Sequence, residues 1–385
     1  MRIMMVDPLL YPIAYDKALV AALVEAGHEV LFCGRKLTKG ETWDSSHGTY
    51  LELPLSPPAP PSTTSATRRR AYWLHYHIGY LKALLVAARR NKIFRADVIH
   101  IQWLVAPFFD SIFLTLNSKK TATVLTMHDT QVANGDKVSR YQSFGLARAL
   151  RQFDRIIVHT EIGASRLARR GIEPGIVTHI PHGLLTANSK KSTAMTPRDD
   201  KITFLLFGAL RPYKGIDILI RAVGLMEPSV RDRCRFVVAG NAGMDVEELV
   251  CLANECQVTQ FFEFRVGFIP EDELASVLTL ADVFVYPYRE IEASGSLMLC
   301  LQYGKPIVAS NIGIFSEILT SGVHGRMTKP GNVEELSRAL QSLAVDDHFR
   351  IQAALNVKRL SDSIPTWAEI ANRTISEYHK VCSPY

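Results

Sequence analysis

The chain has 385 residues, of which 47% are hydrophobic and 21% charged, and it carries a net charge of +6. That length suits two domains, and that balance excludes wholesale disorder and a fibrous repeat. No apolar stretch of ~18 residues lacks charges, so no membrane-spanning helix is expected.

The chain opens on Arg2–Val6, a strand-like run with no apolar core and cleavage site of a secretory signal, which points to the cytoplasm. Asp16–Ala26 is apolar at helical spacing and stops at Gly27, and Glu29–Cys33 reads as a second strand. Leu53–Thr67 is Pro/Ser-rich and predicts a mobile loop. The span 53–96 then holds eight Lys/Arg and no acid, with Tyr72, Trp73, Tyr76 and Tyr80 among them. A basic, aromatic segment of this kind over 68–95 suits an anionic membrane surface, at about 1 kcal/mol per cation, which would make the protein peripheral on the inner face of the cell membrane. The alternative is a solvated helix with its aromatics packed inward. Nucleic acid is not expected, because no nucleic-acid-binding motif accompanies the charge.

Strands follow at Asp97–Ile101, Ala122–Met127, Arg155–His159 and Val177–Ile180, and their alternation with helices predicts parallel βαβ units. Polar Leu184–Asp200 reads as a linker. Beyond it the alternation resumes: strand Ile202–Phe207, helix Asp217–Met226, strand Arg235–Ala239, helix Val246–Glu255, strand Phe261–Val266, helix Asp272–Leu280, strand Val283–Tyr286, helix Leu297–Tyr303, strand Pro306–Ala309. The expected fold class is therefore α/β, with doubly wound domains at 1–183 and 201–365 and a terminal segment at 366–385. Residues 1–200 carry a net +10 and residues 201–385 a net −4.

Six cysteines are dispersed without a CxxC pair, so buried or free thiols are expected, with no metal site. No GxGxxG follows the first strand, since Asp7–Tyr15 contains no glycine, which moves any phosphate site to the second half. There, Phe207–Gly215 runs from a strand end into a helix. Gly208 permits close backbone approach, and Arg211 and Lys214 put two cations where a helix start exposes N–H groups, which suits a diphosphate. Ser294 or Ser296 can cap the helix that follows Glu290–Ser296, Gly295 opens its backbone to a phosphate, and Glu290 and Glu292 can accept hydroxyls. Thr126–Thr130 sets His128 and Asp129 at a strand's carboxyl end, where ligands of such sheets bind. Ile180-Pro-His-Gly183 could close a cleft between the domains.

In order and spacing, these segments resemble the retaining glycosyltransferases of family 4, which have the GT-B fold of two Rossmann-like domains facing across a cleft. The resemblance rests on Ala26-Gly-His-Glu-Val30, Asp97-Val-Ile-His100, Met127-His-Asp129, Ile180-Pro-His-Gly183, Phe207–Gly215, Val266-Gly-Phe-Ile-Pro270, Ala281–Pro287, Tyr303–Ser310 and Gly313–Gly331. Trp367 and a helix over Glu369–Val381 resemble the family's terminal helix, which crosses back onto the first domain. The resemblance implies a hexosyltransferase-type enzyme of polysaccharide biosynthesis, using a UDP- or GDP-linked sugar as substrate, without cofactor or metal. It implies that Arg211 and Lys214 bind the diphosphate, and that Gly208, Ser294, Gly295 and Ser296 lie along the donor. Glu290 or Glu292 would hold sugar hydroxyls, His128 would lie near the transferred sugar, and Arg265, Val266 and Gly267 would flank the base. The acceptor, lipid-linked or a growing polysaccharide, would attack on the face from which the diphosphate departs. Three positions depart from the family pattern: Ile291 and Leu299 stand where many members carry glutamates, and Ala209 stands where an arginine is usual. A catalytically silent nucleotide-sugar-binding subunit, or an epimerase or hydrolase of the same fold, are the alternative readings.

Overall fold

The computed structural model describes residues 1–38, 41–55, 66–117, 121–130, 145–186 and 200–382, with the backbone alone at 66–74. The described chain divides into two units, at Gly183/Leu184 and again at Ile364/Pro365, where it returns to the first unit. Most of the segment read as a linker, residues 187–199, and most of the Pro/Ser-rich loop, residues 56–65, lie outside the described residues.

The first unit is a seven-stranded parallel sheet of order β3-β2-β1-β4-β5-β6-β7. Its strands are β1 (Arg2–Asp7), β2 (Glu29–Arg35), β3 (Thr49–Leu53), β4 (Val98–Ile101), β5 (Ala122–Met127), β6 (Arg155–Val158) and β7 (Val177–His179). Its helices are α1 (Ile13–Glu25), α2 (Ala66–Phe94), α3 (Pro107–Asn117), α4 (Leu146–Leu150) and α5 (Glu161–Arg169). Central β4 is buried at every residue, as a parallel strand covered on both faces must be. β3 is an edge strand that sequence reading missed; its Glu52 and half-buried residues give no apolar run.

The second unit is a six-stranded parallel sheet of order β10-β9-β8-β11-β12-β13. It comprises β8 (Ile202–Phe207), β9 (Cys234–Gly240), β10 (Phe262–Val266), β11 (Val283–Tyr286), β12 (Ile307–Ser310) and β13 (Gly325–Thr328). Helices α6 (Ile216–Gly224), α7 (Pro228–Arg231), α8 (Glu247–Glu255), α9 (Glu271–Thr279), α10 (Gly295–Cys300), α11 (Gly313–Ile318), α12 (Val333–Val345) and α13 (Asp347–Ser363) connect and cover it. In α12, buried Leu336, Ala339, Leu340, Leu343 and Ala344 recur at helical spacing and form one stripe. Asn332 caps that helix by accepting the Glu335 N–H at 2.9 Å.

The last helix, α14 (Trp367–Cys382), belongs to the first unit. Its buried stripe of Ile370, Ala371, Thr374, Glu377 and Tyr378 packs beside α1. The Tyr378 hydroxyl is 2.6 Å from His100 Nδ1, and Glu377 pairs with Arg155 at 3.1 Å. These contacts bind the two ends of the chain into one core.

In an open parallel sheet, ligands bind past the carboxyl ends of the strands, where the strand order reverses. In the second unit that point lies between β8 and β11, and in the first between β1 and β4.

Candidate active site

At the second unit's reversal point, the loops after β8 and β11 come together. Gly208 leaves β8 with φ 110°, and a Cβ there would stand 2.8 Å from Lys214 Nζ and 3.6 Å from Ser296 Cβ. Glycine is therefore required where lysine and serine close over the strand end. Lys214 ends a 3-10 turn (Pro212–Lys214) directly before α6. Its ammonium is buried, 3.3 Å from the Phe207 carbonyl and 5.2 Å from the Tyr288 ring centroid. Burial lowers its pKa. The ammonium is held by a carbonyl and a ring face, both weak partners that an anion would supplement.

Ser294 caps α10, accepting the Leu297 N–H at 3.2 Å, and its hydroxyl lies 3.0 Å from that of Ser296. The Tyr288 hydroxyl is 3.4 Å from Ser296 Oγ. Tyr288 thus touches both the lysine and the serine loop. Outside the loop, Arg289 forms two hydrogen bonds with Asp217 of α6, at 2.9 and 2.5 Å, and its N–H donates to the Tyr213 carbonyl. This latch joins the two loops.

Along the same carboxyl edge, β8, β9 and β10 end in Gly208, Gly240 and Gly267, each at positive φ. Gly208 N–H donates to the Ala239 carbonyl and Gly267 N–H to the Gly240 carbonyl, both at 3.0 Å. A Cβ at Gly240 would lie 2.1 Å from the Gly208 oxygen. The row is a ledge of bare backbone over three adjacent strands. A flat or phosphorylated ligand can approach such a ledge closely.

The first unit's edge is built differently. His159 Nδ1 lies 2.9 Å from the Ile180 carbonyl, which can only accept, so Nδ1 carries the proton. Burial pulls the His159 pKa down to about 3, so the ring is neutral and its Nε2 is a bare acceptor. His128 Nδ1, at 3.2 Å from that Nε2, must then donate. This leaves His128 Nε2 as a lone pair, and that atom is buried without a partner. Burial also pushes His128 well below the usual imidazole value, and His182 down to about 4. His182 packs on Tyr15 and Trp367 and lies 2.6 Å through Nδ1 from the Gly183 carbonyl. The Ile180–Gly183 segment thus packs into the core of the first unit. His100 has both ring nitrogens occupied, by Tyr378 and by Thr126 at 2.7 Å, and is structural.

A family model described as glycosyl transferases group 1 matches residues 188–359, and one described as a glycosyl transferase 4-like domain matches residues 14–183. The chain belongs to the group 1 glycosyltransferases. Its two doubly wound units are those of the GT-B fold. The GPI3 subunit of phosphatidylinositol N-acetylglucosaminyltransferase from Saccharomyces cerevisiae is 24% identical over 308 residues, covering 76% of this chain and 66% of that protein. D-inositol 3-phosphate glycosyltransferase from Rhodococcus opacus is 24% identical over 283 residues, covering 68% and 61%. The chain thus spans just under two thirds of these curated relatives. HepE of Anabaena, solved in complex with UDP, matches with a TM-score of 0.73 over 99% of this chain and 100% of that one, at 16% identity.

Within this glycosyltransferase, the structure brings Gly208, Lys214, Ser294, Gly295 and Ser296 into one neighbourhood. Arg211 is exposed, with its guanidinium lying along Gly243 of the loop after β9, where a Cβ would meet it at 2.6 Å. Glu290 is exposed, whereas Glu292 is buried and its carbonyl accepts the Ile314 N–H of α11 at 2.8 Å. Ile291 and Leu299 are core residues. Arg265 pairs with Glu263 at 2.6 Å on edge strand β10, with exposed Val266 and then Gly267 after it. Sequence reading missed Gly240, Gly243 and Tyr288. Strand register and loop packing bring these in, and no local motif marks them.

Of the basic segment's four aromatics, Tyr76 and Tyr80 are buried, as the alternative of inward-packed aromatics expects; the side chains of Tyr72 and Trp73 lie outside the described residues. The outward side of α2 instead shows Ile78, Leu85 and Ile93 among exposed Lys82, Arg89 and Lys92. Neighbouring α3 exposes Phe108, Ile112 and Leu116. Among the described residues no helix is long and apolar enough to cross a membrane.

Proposed function

We propose that the chain transfers a sugar from a nucleoside diphosphate donor to a lipid-linked or growing polysaccharide acceptor, with retention of anomeric configuration and without a metal. The observation that carries this reading is the convergence of Lys214, Gly208 and Ser296 at the strand-order reversal, beside the ledge of three glycines. The ledge suits a nucleoside lying toward Arg265–Gly267, and the lysine with the Ser294–Ser296 backbone suits its diphosphate. When the bond from the anomeric carbon to the diphosphate oxygen breaks, negative charge grows on that oxygen. A buried ammonium beside it, in low dielectric, stabilises that charge more than it would in water. The acceptor oxygen bonds to the same face of the anomeric carbon, and its proton passes to the departing phosphate. Arg211 adds a second, more solvated cation. Buried Glu292 is better fixed than exposed Glu290 to hold a sugar hydroxyl.

The outward side of α2 and α3 combines cations with apolar side chains, and this supports peripheral docking on an anionic membrane at the cytoplasmic face. Similarity to a subunit of phosphatidylinositol N-acetylglucosaminyltransferase supports an acceptor held at or near lipid.

The test is turnover of UDP- and GDP-sugars with a polyprenyl-diphosphate glycan acceptor, with and without EDTA, and proton NMR of the product's anomeric signal. Transfer with retained configuration that survives EDTA is expected. An inverted product or strict metal dependence overturns the mechanism. A second reading, a binding subunit without turnover, is favoured by Ile291 and Leu299 replacing acids with core packing. Tight nucleotide binding with no transfer to any acceptor would establish it.

A further inference from the structure

Arg289 stands at the mouth of the second unit's site, just past the end of β11, and invites assignment as a third cation for a phosphate. Its hydrogen bonds say otherwise. One terminal nitrogen donates to the Pro212 carbonyl at 2.8 Å and to Asp217 at 2.9 Å, and the other donates to the second Asp217 oxygen at 2.5 Å. Both terminal nitrogens are thus committed to protein acceptors, in the two-pronged geometry that makes such pairs directional. The Arg289 backbone N–H adds a bond to the Tyr213 carbonyl at 2.7 Å. All of these bonds land on one short stretch, the 3-10 turn that ends in Lys214 and the first turn of α6. Gly215 seats that stretch against the strand exit: at φ 67°, a Cβ there would lie 2.0 Å from the Pro287 carbonyl. Tyr288, between Pro287 and Arg289, has its ring centroid 5.2 Å from Lys214 Nζ. Three consecutive residues after β11 therefore grip the lysine turn.

We infer that Arg289, acting through Asp217, is a positioning residue that fixes where Lys214 holds its ammonium, and is not itself a cation for the phosphate. The inference rests on the reading of Lys214 as the donor's buried cation. The fold does not need the pair. Helix α6 is already anchored by buried Ile216, Leu219, Ile220 and Val223, and the Arg289 and Asp217 side chains keep 43% and 33% of their surface exposed. Ion pairs this exposed add little to stability. What the pair supplies is registration. A lysine ammonium is a point charge on a flexible stem, and its contacts here are a carbonyl at 3.3 Å and a ring face. Neither fixes direction as a fork on a carboxylate does, so the ammonium's place depends on the turn beneath it being held. Burial raises the Asp217 carboxyl, but the hydrogen bonds and charge of Arg289 outweigh this and hold it below the usual carboxylate range, which keeps the pair ionised at neutral pH.

The test is NMR on the full chain carrying isotope-labelled lysine, with the Lys214 ε-methylene signal assigned by its loss in Lys214→Ala, alongside titration with UDP and GDP. In the ligand-free protein the Tyr288 ring should shift that signal upfield of the exposed lysines. Arg289→Ala and Asp217→Ala should each return it toward them, and the double variant should move it no further, because all three break one pair. Arg289→Lys keeps the charge without the fork and should restore only part of the shift. Affinity for whichever nucleotide the wild type binds should fall about tenfold in each single variant and no more in the double, while the denaturant midpoint stays near that of the wild type. A Lys214 signal unmoved by either variant overturns the inference. So does an affinity loss in Arg289→Ala that Asp217→Ala does not share, because an arginine released from Asp217 would still serve a phosphate. If Arg289→Ala fails to fold, Arg289→Gln and Asp217→Asn should still move the signal at a native midpoint, and a signal they leave in place overturns the inference equally. A wild type that binds neither nucleotide refutes the donor reading, and the Lys214 signal still decides this one.

Discussion

The two units share a topology and differ at the carboxyl ends of their strands. In the second, β8, β9 and β10 run out into glycines, and the buried cation described there is a lysine. In the first, the corresponding edge carries Asp7, Gln102, His128 and His159, all with side chains that occupy the space over the strand ends. Bare backbone beside a cation suits a phosphate-bearing ligand. A row of neutral imidazole, amide and buried carboxyl groups suits hydroxyls. One scaffold thus presents two chemistries because the residues after the strands are free to vary while the strands must stay apolar.

That contrast can be broken most forcefully at Lys214. Lys214→Ala should cut transfer ~10²–10³-fold, as expected for removing a charge that stabilises a leaving group. Arg211→Ala, at an exposed guanidinium, should cost only ~10-fold; initial rates under saturating donor compare them, and equal losses would show that burial does not set the cation's value. Next comes the ledge itself. Gly240→Ala drives a Cβ into the Gly208 carbonyl and should lower stability by ~3 kcal/mol, read as a lower denaturant midpoint with unchanged slope.

The first unit's edge should show itself in acid. His100 and His159 are held to about 3 and His182 to about 4, while the unfolded chain protonates each near 6.5. Below pH ~6.5 the unfolded state binds more protons, so stability present at neutral pH is lost as pH falls toward 3–4. The slope should approach ~1.4 kcal/mol per pH unit for each histidine, and His182→Asn should remove one histidine's share. An unfolding free energy flat between pH 6.5 and 4.5 would contradict the neutral, proton-fixed cluster. The smallest effect concerns the membrane face: Lys82→Glu with Arg89→Glu should weaken sedimentation with phosphatidylserine vesicles by about 1 kcal/mol per charge at low salt, and leave soluble donor turnover untouched.

Much of the fold was legible because buried parallel strands are continuous apolar runs. Ala122–Met127, Ile202–Phe207 and Val283–Tyr286 were read to the residue. Two edge strands are not: Thr49–Leu53 and Gly325–Thr328 carry no apolar run, whereas edge strand Phe262–Val266 alternates Phe262, Phe264 and Val266 and is legible. The same limit applied to the site. Gly208, Lys214 and Ser294–Ser296 lie in two loops that each follow a readable strand, so their place at the carboxyl edge could be inferred. Gly240 could not, since its role comes from the register of β9 against β8, and a lone glycine after a strand reads as a turn. The histidine tautomers were equally hidden, because His128, His159 and the Ile180 carbonyl meet only when β5, β6 and β7 pair. The inward turn of Tyr76 and Tyr80 depended on which side of a long helix met the sheet, and composition carries no such phase.

The most direct measurement is UDP and GDP titration of the isotope-labelled chain, with amide shifts read at Gly208, Gly240, Gly267 and Ser296 and affinity compared in Lys214→Ala. The account predicts that one of the nucleotides shifts these amides together and binds at least tenfold more weakly without the lysine. Shifts confined to the first unit's strand ends, or an affinity indifferent to Lys214, would contradict it.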